Sequence, residues 1–226
     1  MEVCNRYVEK ALGMADLIEV TSLAIDETSR ALGHTYVTLA ADADKRCVLF
    51  VTECRGAYTI EALSKDLRGH GCTPDQITSV SIDMSPAFIK EVTSELVNAQ
   101  ISFDKFHVIA RANAAVDKTR RVEQRPEKSL KGMRWTLLSD AFSLTPAAGA
   151  SLYGLLHSPK LTRTARAWTY KVQLRVLLDK KQINVLRDSL KHWCVCVMRS
   201  KVAAMKEVAG LVRRHMECIV AWAQTR

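Results

Sequence analysis

The sequence predicts an α/β protein in which a mixed five-stranded sheet with helices is followed by a mainly α-helical region. Three observations predict this fold. Short β-branched and apolar runs alternate with helical patterns over the first hundred of 226 residues, no confident strand follows Val108, and acidic and basic residues are segregated along the chain. A chain of this length can bury one sizeable core.

Five strands are predicted in the first half of the chain, over residues 17–26, 36–41, 47–52, 77–83 and 101–103. The second and third form a hairpin around a polar turn. A helix over residues 59–67 precedes the fourth strand, and Ser85 and Pro86 provide a favoured N-cap and first residue for a helix after it. A hairpin followed by βαβ units is the strand order of an RNase H-like core.

Helices are predicted over residues 109–122, 135–142, 152–156, 168–178, 183–193 and 202–222. Glycine and proline mark the joints between them. We therefore expect an RNase H-like catalytic core over residues 1–122 and a basic α-helical insertion and C-terminal region over residues 123–226. The tryptophans of this region are expected to anchor its core, although they could stack on bases.

The distribution of charge predicts a polyanionic partner. Residues 1–100 contain 9 Lys and Arg against 15 Asp and Glu, whereas residues 101–226 contain 24 against 9. This asymmetry favours carboxylate chemistry in the first half and nucleic-acid binding in the second. The alternative is that the basic helices simply present solvated faces.

The composition also excludes several classes of protein. No apolar run is long enough to span a bilayer, and the N-terminal residues do not have the pattern of a secretory signal. The seven cysteines include no C-x-x-C pair, so we expect reduced thiols in a cytoplasmic, nucleoid-associated protein rather than a structural zinc site.

Two aspartates occupy equivalent positions in the predicted sheet. Asp26 ends the first strand and Asp83 ends the fourth, each after an apolar run. These strands are neighbours in an RNase H-like sheet, so the two carboxylates would meet at one edge, where their repulsion calls for a cation. Oxygen ligands suit Mg²⁺ or Mn²⁺, and two such ions can support phosphodiester transfer. The alternative is that both are ordinary turn-forming residues.

Asp104 and His107 form a second candidate group just after the fifth strand. An Asp-x-x-His pair could orient a metal ligand or contact DNA. A capping Asp and a hydrogen-bonded His explain the same residues equally well.

Six ordered motifs resemble those of bacterial insertion-sequence transposases of the ISL-three family, which belong to the DDE superfamily. The motifs are Asp26-Glu27-Thr28-Ser29, Gly33-His34-Thr35-Tyr36-Val37-Thr38, Asp83-Met84-Ser85-Pro86-Ala87-Phe88, Phe103-Asp104-Lys105-Phe106-His107-Val108, Ala115-Val116-Asp117-Lys118-x-Arg120-Arg121 and Leu130-Lys131-Gly132-x-Arg134-Trp135. Each motif alone is weak, but the six in this order are specific.

The resemblance implies a Mg²⁺-dependent (or Mn²⁺-dependent) enzyme that cuts and joins double-stranded DNA at transposon ends and target. Asp26 matches the first family acid and Asp83 the second, with Asp104 and His107 supporting the site. In such a protein the basic clusters would neutralise DNA phosphates, and the residues expected to do so are Lys118, Arg120, Arg121, Lys131 and Arg134. A homo-oligomer is expected of the full-length protein, and no membrane partner.

Two departures from the family pattern shape the expectations about activity. The family's DNA-recognition region at the start and the motif with its third acid near the end have no counterpart here, and neither Glu207 nor Glu217 is assigned as that acid. We therefore expect a truncated transposase fragment with impaired transposition. One alternative is a catalytically inactive DNA-binding or regulatory remnant. Another is a nuclease of the RNase H class, which would cleave RNA–DNA hybrids, although no feature of the sequence indicates recognition of such hybrids.

Overall fold

The computed structural model describes residues 17–31, 35–53, 58–158 and 162–224. Gly33 and His34 of the second motif lie outside these ranges. The contacts group the chain into two compact units, Met1–Asp104 and Lys105–Arg226. Within the described ranges, no helix is long and apolar enough to cross a membrane.

The first unit contains a five-stranded mixed sheet. Its strands are β1 (Ser22–Ala31), β2 (Thr35–Asp42), β3 (Cys47–Thr52), β4 (Ser79–Ile82) and β5 (Gln100–Phe103). The spatial order is β3-β2-β1-β4-β5, with antiparallel pairing along β1, β2 and β3 and parallel pairing of β4 with β1 and β5. This is the predicted RNase H-like arrangement, so the predicted fold class is confirmed.

The first strand begins and ends later than predicted. It covers Ser22–Ala31 rather than residues 17–26, because its pairing with β2 continues as far as Ala31. The residues before it are held by hydrogen bonds outside the sheet, including those from the Gln76 side chain to the carbonyls of Ile18 and Val20. Asp26 therefore lies in the middle of β1 and not at its end.

The described residues of the first unit also form two α-helices, α1 (Tyr58–Gly69) and α2 (Pro86–Glu95). They pack against each other, and apolar residues at helical spacing, such as Ile60 and Leu63 of α1 and Phe88 and Val92 of α2, are buried. Helix α2 also packs against β4, the strand that precedes Asp83.

The second unit is helical over all of its described residues that have regular structure. Its helices are α3 (Lys105–Glu123), α4 (Arg134–Leu138), α5 (Pro146–Leu156), α6 (Arg163–Leu178), α7 (Ile183–Arg199), α8 (Ala203–Arg214) and α9 (Met216–Gln224). Helix α3 packs against α4, α6 and α8, and so it groups with the helices that follow it. The division after Asp104 thus falls earlier than the expected boundary at residue 122. The helix predicted over residues 202–222 is divided at His215.

Lys171 is a basic residue that the charge pattern alone would assign to the surface, but α6 buries it. Its Nζ donates hydrogen bonds to the carbonyl oxygens of Leu137, at 2.6 Å, and Ser139, at 3.4 Å. Burial, with the charge of Arg175 adding to it, lowers the pKa of Lys171 to about 8. Lys171 therefore satisfies the carbonyls at the end of α4 and is not a surface cation.

The last residue of α3 caps the first turn of α6. Glu123 Oε1 accepts a hydrogen bond from the Arg163 backbone N–H at 2.9 Å, and Oε2 accepts one from Thr164 at 2.7 Å. These amides have no partner inside the helix, and a carboxylate also interacts favourably with the helix dipole.

Replacing Glu123 by Ala is expected to lower the free energy of unfolding by about 1–2 kcal/mol, because two amides lose a charged acceptor. Urea denaturation measures the change. Glu207→Ala is the matched control, since exposed Glu207 contacts only the exposed Lys118 among the interactions described and should cost less than about 1 kcal/mol. Equal decreases in the free energy of unfolding of the two variants would contradict the capping role of Glu123.

Candidate catalytic carboxylates and basic surface

The register of the sheet brings Asp26 and Asp83 to equivalent positions. Strands β1 and β4 are parallel, and their last paired residues are Ala24 and Ser81. Asp26 follows two residues later within β1, and Asp83 follows two residues later, directly after the end of β4. The two aspartates thus share one row of the register, counted from the last pair of strands that are about 4.8 Å apart where they pair.

Asp104 extends this row on the next strand. The last pair of β4 and β5 is Ile82 with Phe103, so Asp83 and Asp104 each follow by one residue. Within the described residues, however, no three His, Cys, Asp or Glu side chains gather to hold one ion. His107 lies on the first turn of α3, in the second unit.

Local hydrogen bonds orient both central carboxylates. Asp26 is exposed, and its Oδ1 accepts the Glu27 backbone N–H at 2.9 Å. Asp83 is half-buried, and its Oδ1 accepts the Ser85 backbone N–H at 2.7 Å. Ser85 is the N-cap of α2, as predicted, but its side chain makes no capping bond. The turn before the helix is instead closed by the carboxylate of Asp83, three residues before Pro86.

The donor chemistry of this pair fits a hard dication. Two carboxylates in one row supply oxygen donors only, the ligands that Mg²⁺ and Mn²⁺ prefer, and their mutual repulsion is relieved when a cation lies between them. Glu27 is on the opposite face of β1, with Ile25, and does not join them.

Asp117 is the centre of an ion-pair network that sequence reasoning missed. Its buried carboxylate accepts hydrogen bonds from Arg120 Nε and Nη2 on Oδ1, at 2.9 and 2.7 Å, and from Arg121 Nε on Oδ2 at 2.8 Å. Arg134 Nε lies 3.7 Å from Oδ2. Burial raises the pKa of Asp117, but the hydrogen bonds and charges of Arg120 and Arg121 outweigh it and hold that pKa below its usual value.

The predicted DNA-binding residues divide into two groups. The Arg120 side chain is only 9% exposed and is bonded to Asp117 and Gln124, so its guanidinium is engaged inside the network and does not face solvent as the charge pattern predicted. The other four residues, Lys118, Arg121, Lys131 and Arg134, are exposed.

Three of the exposed cations line a common cavity. Lys118, Arg121 and Arg134 surround a space of about 580 Å³ beside α3 and α4. Lys118 Nζ is also paired with Glu207 at 2.8 Å. Next to Arg134, the Trp135 ring is 69% exposed, with the Arg134 guanidinium 4.9 Å from its centre. Trp135 is thus not the core anchor that was expected, whereas Trp193 is buried.

The strand order and pairing define an α/β protein of the RNase H-like class. The model of the ISL-three type of DDE transposases, described as "Transposase", matches residues 23–226. The chain therefore belongs to this transposase family, as its motifs predicted.

Characterised relatives agree with this assignment. The chain is 28% identical over 216 residues to the transposase for insertion sequence element IS1001 of Bordetella parapertussis, covering 91% of this chain and 52% of the relative. It is 26% identical over 227 residues to the transposase for insertion sequence element IS1557 of Mycobacterium tuberculosis (strain CDC 1551 / Oshkosh), covering 88% and 50%. The chain thus spans about half the length of these relatives. No solved structure matches it.

Proposed function

We propose that this chain holds divalent metal through Asp26 and Asp83 for the cleavage and joining of DNA at insertion-sequence ends, and binds duplex DNA through its helical unit. The register of β1 and β4 is the observation that supports the proposal, because the parallel pairing of these central strands ends two residues before Asp26 and two residues before Asp83. Family membership supports DNA transposition as the process.

The residues of the site have separate tasks in this proposal. Asp26 and Asp83 bind Mg²⁺ or Mn²⁺, and the Ser85 amide keeps the Asp83 carboxylate in a single orientation. When bound, the metal would activate a water or a DNA 3′-hydroxyl as the nucleophile and stabilise the leaving oxygen. We further assign a supporting role in the site to Asp104 and His107. We also propose that the full-length protein forms a homo-oligomer.

Contacts with DNA phosphates are assigned to the exposed cations of the second unit, Lys118, Arg121, Lys131 and Arg134, with Arg120 left out because it is buried. This unit contains 24 Lys and Arg against 8 Asp and Glu. Phosphate contacts of this kind position the protein without selecting sequence, so the expected affinity is largely sequence-independent.

Replacing Arg121 or Lys131 by Ala is expected to reduce the salt dependence of DNA binding, because each phosphate contact releases about one counterion. The slope of log K against log salt should fall by about 1 for each variant, equally for unrelated duplexes. Fluorescence anisotropy at graded salt measures it. Lys45→Ala is the control, since Lys45 is an exposed cation of the first unit paired with Glu19. Unchanged slopes in both variants would exclude this surface as the DNA-binding site.

The metal assignment is tested by Mn²⁺ binding and Mn²⁺-dependent nicking of duplex DNA by the chain and by its Asp26→Asn and Asp83→Asn variants. Binding and nicking that both require these aspartates would support the proposal. DNA binding without any Mn²⁺ binding would overturn it and favour the second candidate, a catalytically inactive DNA-binding or regulatory protein.

A further inference from the structure

We propose that His192 and Cys196 form a two-ligand site for a borderline-soft divalent cation such as Zn²⁺ on helix α7. The Cys196 Sγ and the His192 Nε2 are 3.5 Å apart. Cys196 is a free, half-buried thiol, and His192 is exposed. The inference concerns the second unit alone and does not depend on the proposed function.

The separation of the two atoms matches the requirement of tetrahedral zinc. With Zn–S of about 2.3 Å, Zn–N of about 2.0–2.1 Å and an angle of about 109°, the sulfur and nitrogen ligands of one zinc ion are about 3.5–3.6 Å apart. A cation can therefore enter between the side chains with little movement of either.

The helix provides this spacing. His192 and Cys196 are four residues apart within α7, so both side chains lie on one face, about one turn from each other. The backbone of α7 is regular through both residues, which keeps the pair preorganised. A search for C-x-x-C pairs could not find this site, because the ligand spacing is that of a helix turn between different residue types.

The surroundings leave room for the remaining ligands. The pair lines an open groove of about 830 Å³ beside α6 and α7, to which Tyr170 and Trp193 also contribute. Asp188 lines the groove one turn before His192, and its Oδ1 lies 3.7 Å from Lys191 Nζ. No third His, Cys, Asp or Glu joins the pair within the described part of the chain. Water or a ligand from another molecule would complete the coordination, so the affinity should be lower than that of a four-ligand structural site.

The chemistry of coordination is simple. The Cys196 thiol releases its proton to solvent, the thiolate sulfur and the neutral imidazole nitrogen bind the cation, and no electron is transferred. The neighbouring Cys194 offers a contrast, because it points into the core with its Sγ 3.6 Å from the Ala209 carbonyl oxygen. Burial raises the pKa of Cys194 to about 11, and so it remains a thiol.

Titration of the reduced full chain with Co²⁺, a spectroscopic probe for zinc sites, tests the proposal. We expect a thiolate-to-cobalt charge-transfer band that Zn²⁺ abolishes by displacement. Cys196→Ser should remove the band, and His192→Asn should weaken Co²⁺ binding at least about tenfold, as expected when a site loses a ligand or its support.

Cys47→Ser serves as the control, since Cys47 is an exposed thiol on β3 and should leave the titration unchanged. His192 is exposed, so its substitution should not disturb folding, which far-UV circular dichroism verifies. The proposal is overturned if the wild-type chain gives no charge-transfer band, if the band survives in Cys196→Ser, or if His192→Asn binds Co²⁺ as tightly as the wild type.

Discussion

Replacing Asp117 by Asn is expected to lower the free energy of unfolding by about 3 kcal/mol, among the largest stability effects in the chain. The reason is the buried guanidinium of Arg120, which would lose its charged partner and keep only neutral acceptors among the contacts described. Removing one member of a buried ion pair costs more than the pair contributes, because the remaining charge is left without compensation.

The network also predicts how stability changes with pH. The pKa of Asp117 is lower in the folded state than in the unfolded state, where it is about 3.9. Its contribution to stability is therefore present above that value and is lost as the pH falls through the lower, folded-state pKa. Urea denaturation between pH 7 and pH 3 should show a smaller acid-dependent loss in Asp117→Asn than in the wild type.

Two further variants separate this explanation from a general loss of polar contacts. Adding Arg120→Met to Asp117→Asn should recover part of the lost stability, because no buried charge is then left unpaired. Asp188→Asn alters an exposed pair and should change stability by no more than about 0.5 kcal/mol. A double variant less stable than Asp117→Asn would contradict the role assigned to Arg120.

Replacing Asp26 or Asp83 by Asn is expected to reduce metal-dependent DNA nicking at least about a hundredfold. A bound cation contributes several kcal/mol to the transition state, and each 1.36 kcal/mol is a factor of ten in rate. A neutral amide in place of either carboxylate weakens the binding of that cation. The measurement is the rate of nicking at saturating Mn²⁺, with Asp44→Asn as the control, since exposed Asp44 lies in the turn between β2 and β3.

The free energy of unfolding of the metal-free protein should not fall in these variants, although nicking does. Like charges on adjacent strands repel, so either Asn substitution should leave the metal-free protein at least as stable as the wild type. Loss of nicking together with loss of fold would assign the aspartates a structural role instead. Full nicking in both variants would exclude them from the site.

The sheet could be predicted because its elements are locally encoded. Strands β2 to β5 are short apolar runs between turn residues, and the Ser85-Pro86 pair predicts the start of α2. The bounds of β1 could not be predicted in this way, because its continuation to Ala31 depends on pairing with β2, a contact between distant residues. The middle-strand position of Asp26 followed from that pairing.

The number of basic residues in the sequence did not predict which of them are exposed and which are buried. The pattern predicts that cations of α3 face solvent, yet Arg120 is buried because Asp117 lies three residues before it and one helical turn away. The spacing of Asp117 with Arg120 and Arg121 was visible in the sequence and could have indicated the ion pairs. The exposure of Trp135 had no such signal, since an apolar residue in a short helix is predicted to be buried.

The parallel pairing of β1 with β4 has a consequence for how this protein can diverge. Backbone pairing of the strands, and not the length of the intervening chain, sets the register up to Ala24 and Ser81, two residues before Asp26 and Asp83. Insertions and deletions in the hairpin turn or around α1 can therefore accumulate without separating the two carboxylates. A single-residue deletion inside β1 before Asp26 would instead move this carboxylate to the opposite face of the strand, so its position depends on the length of β1.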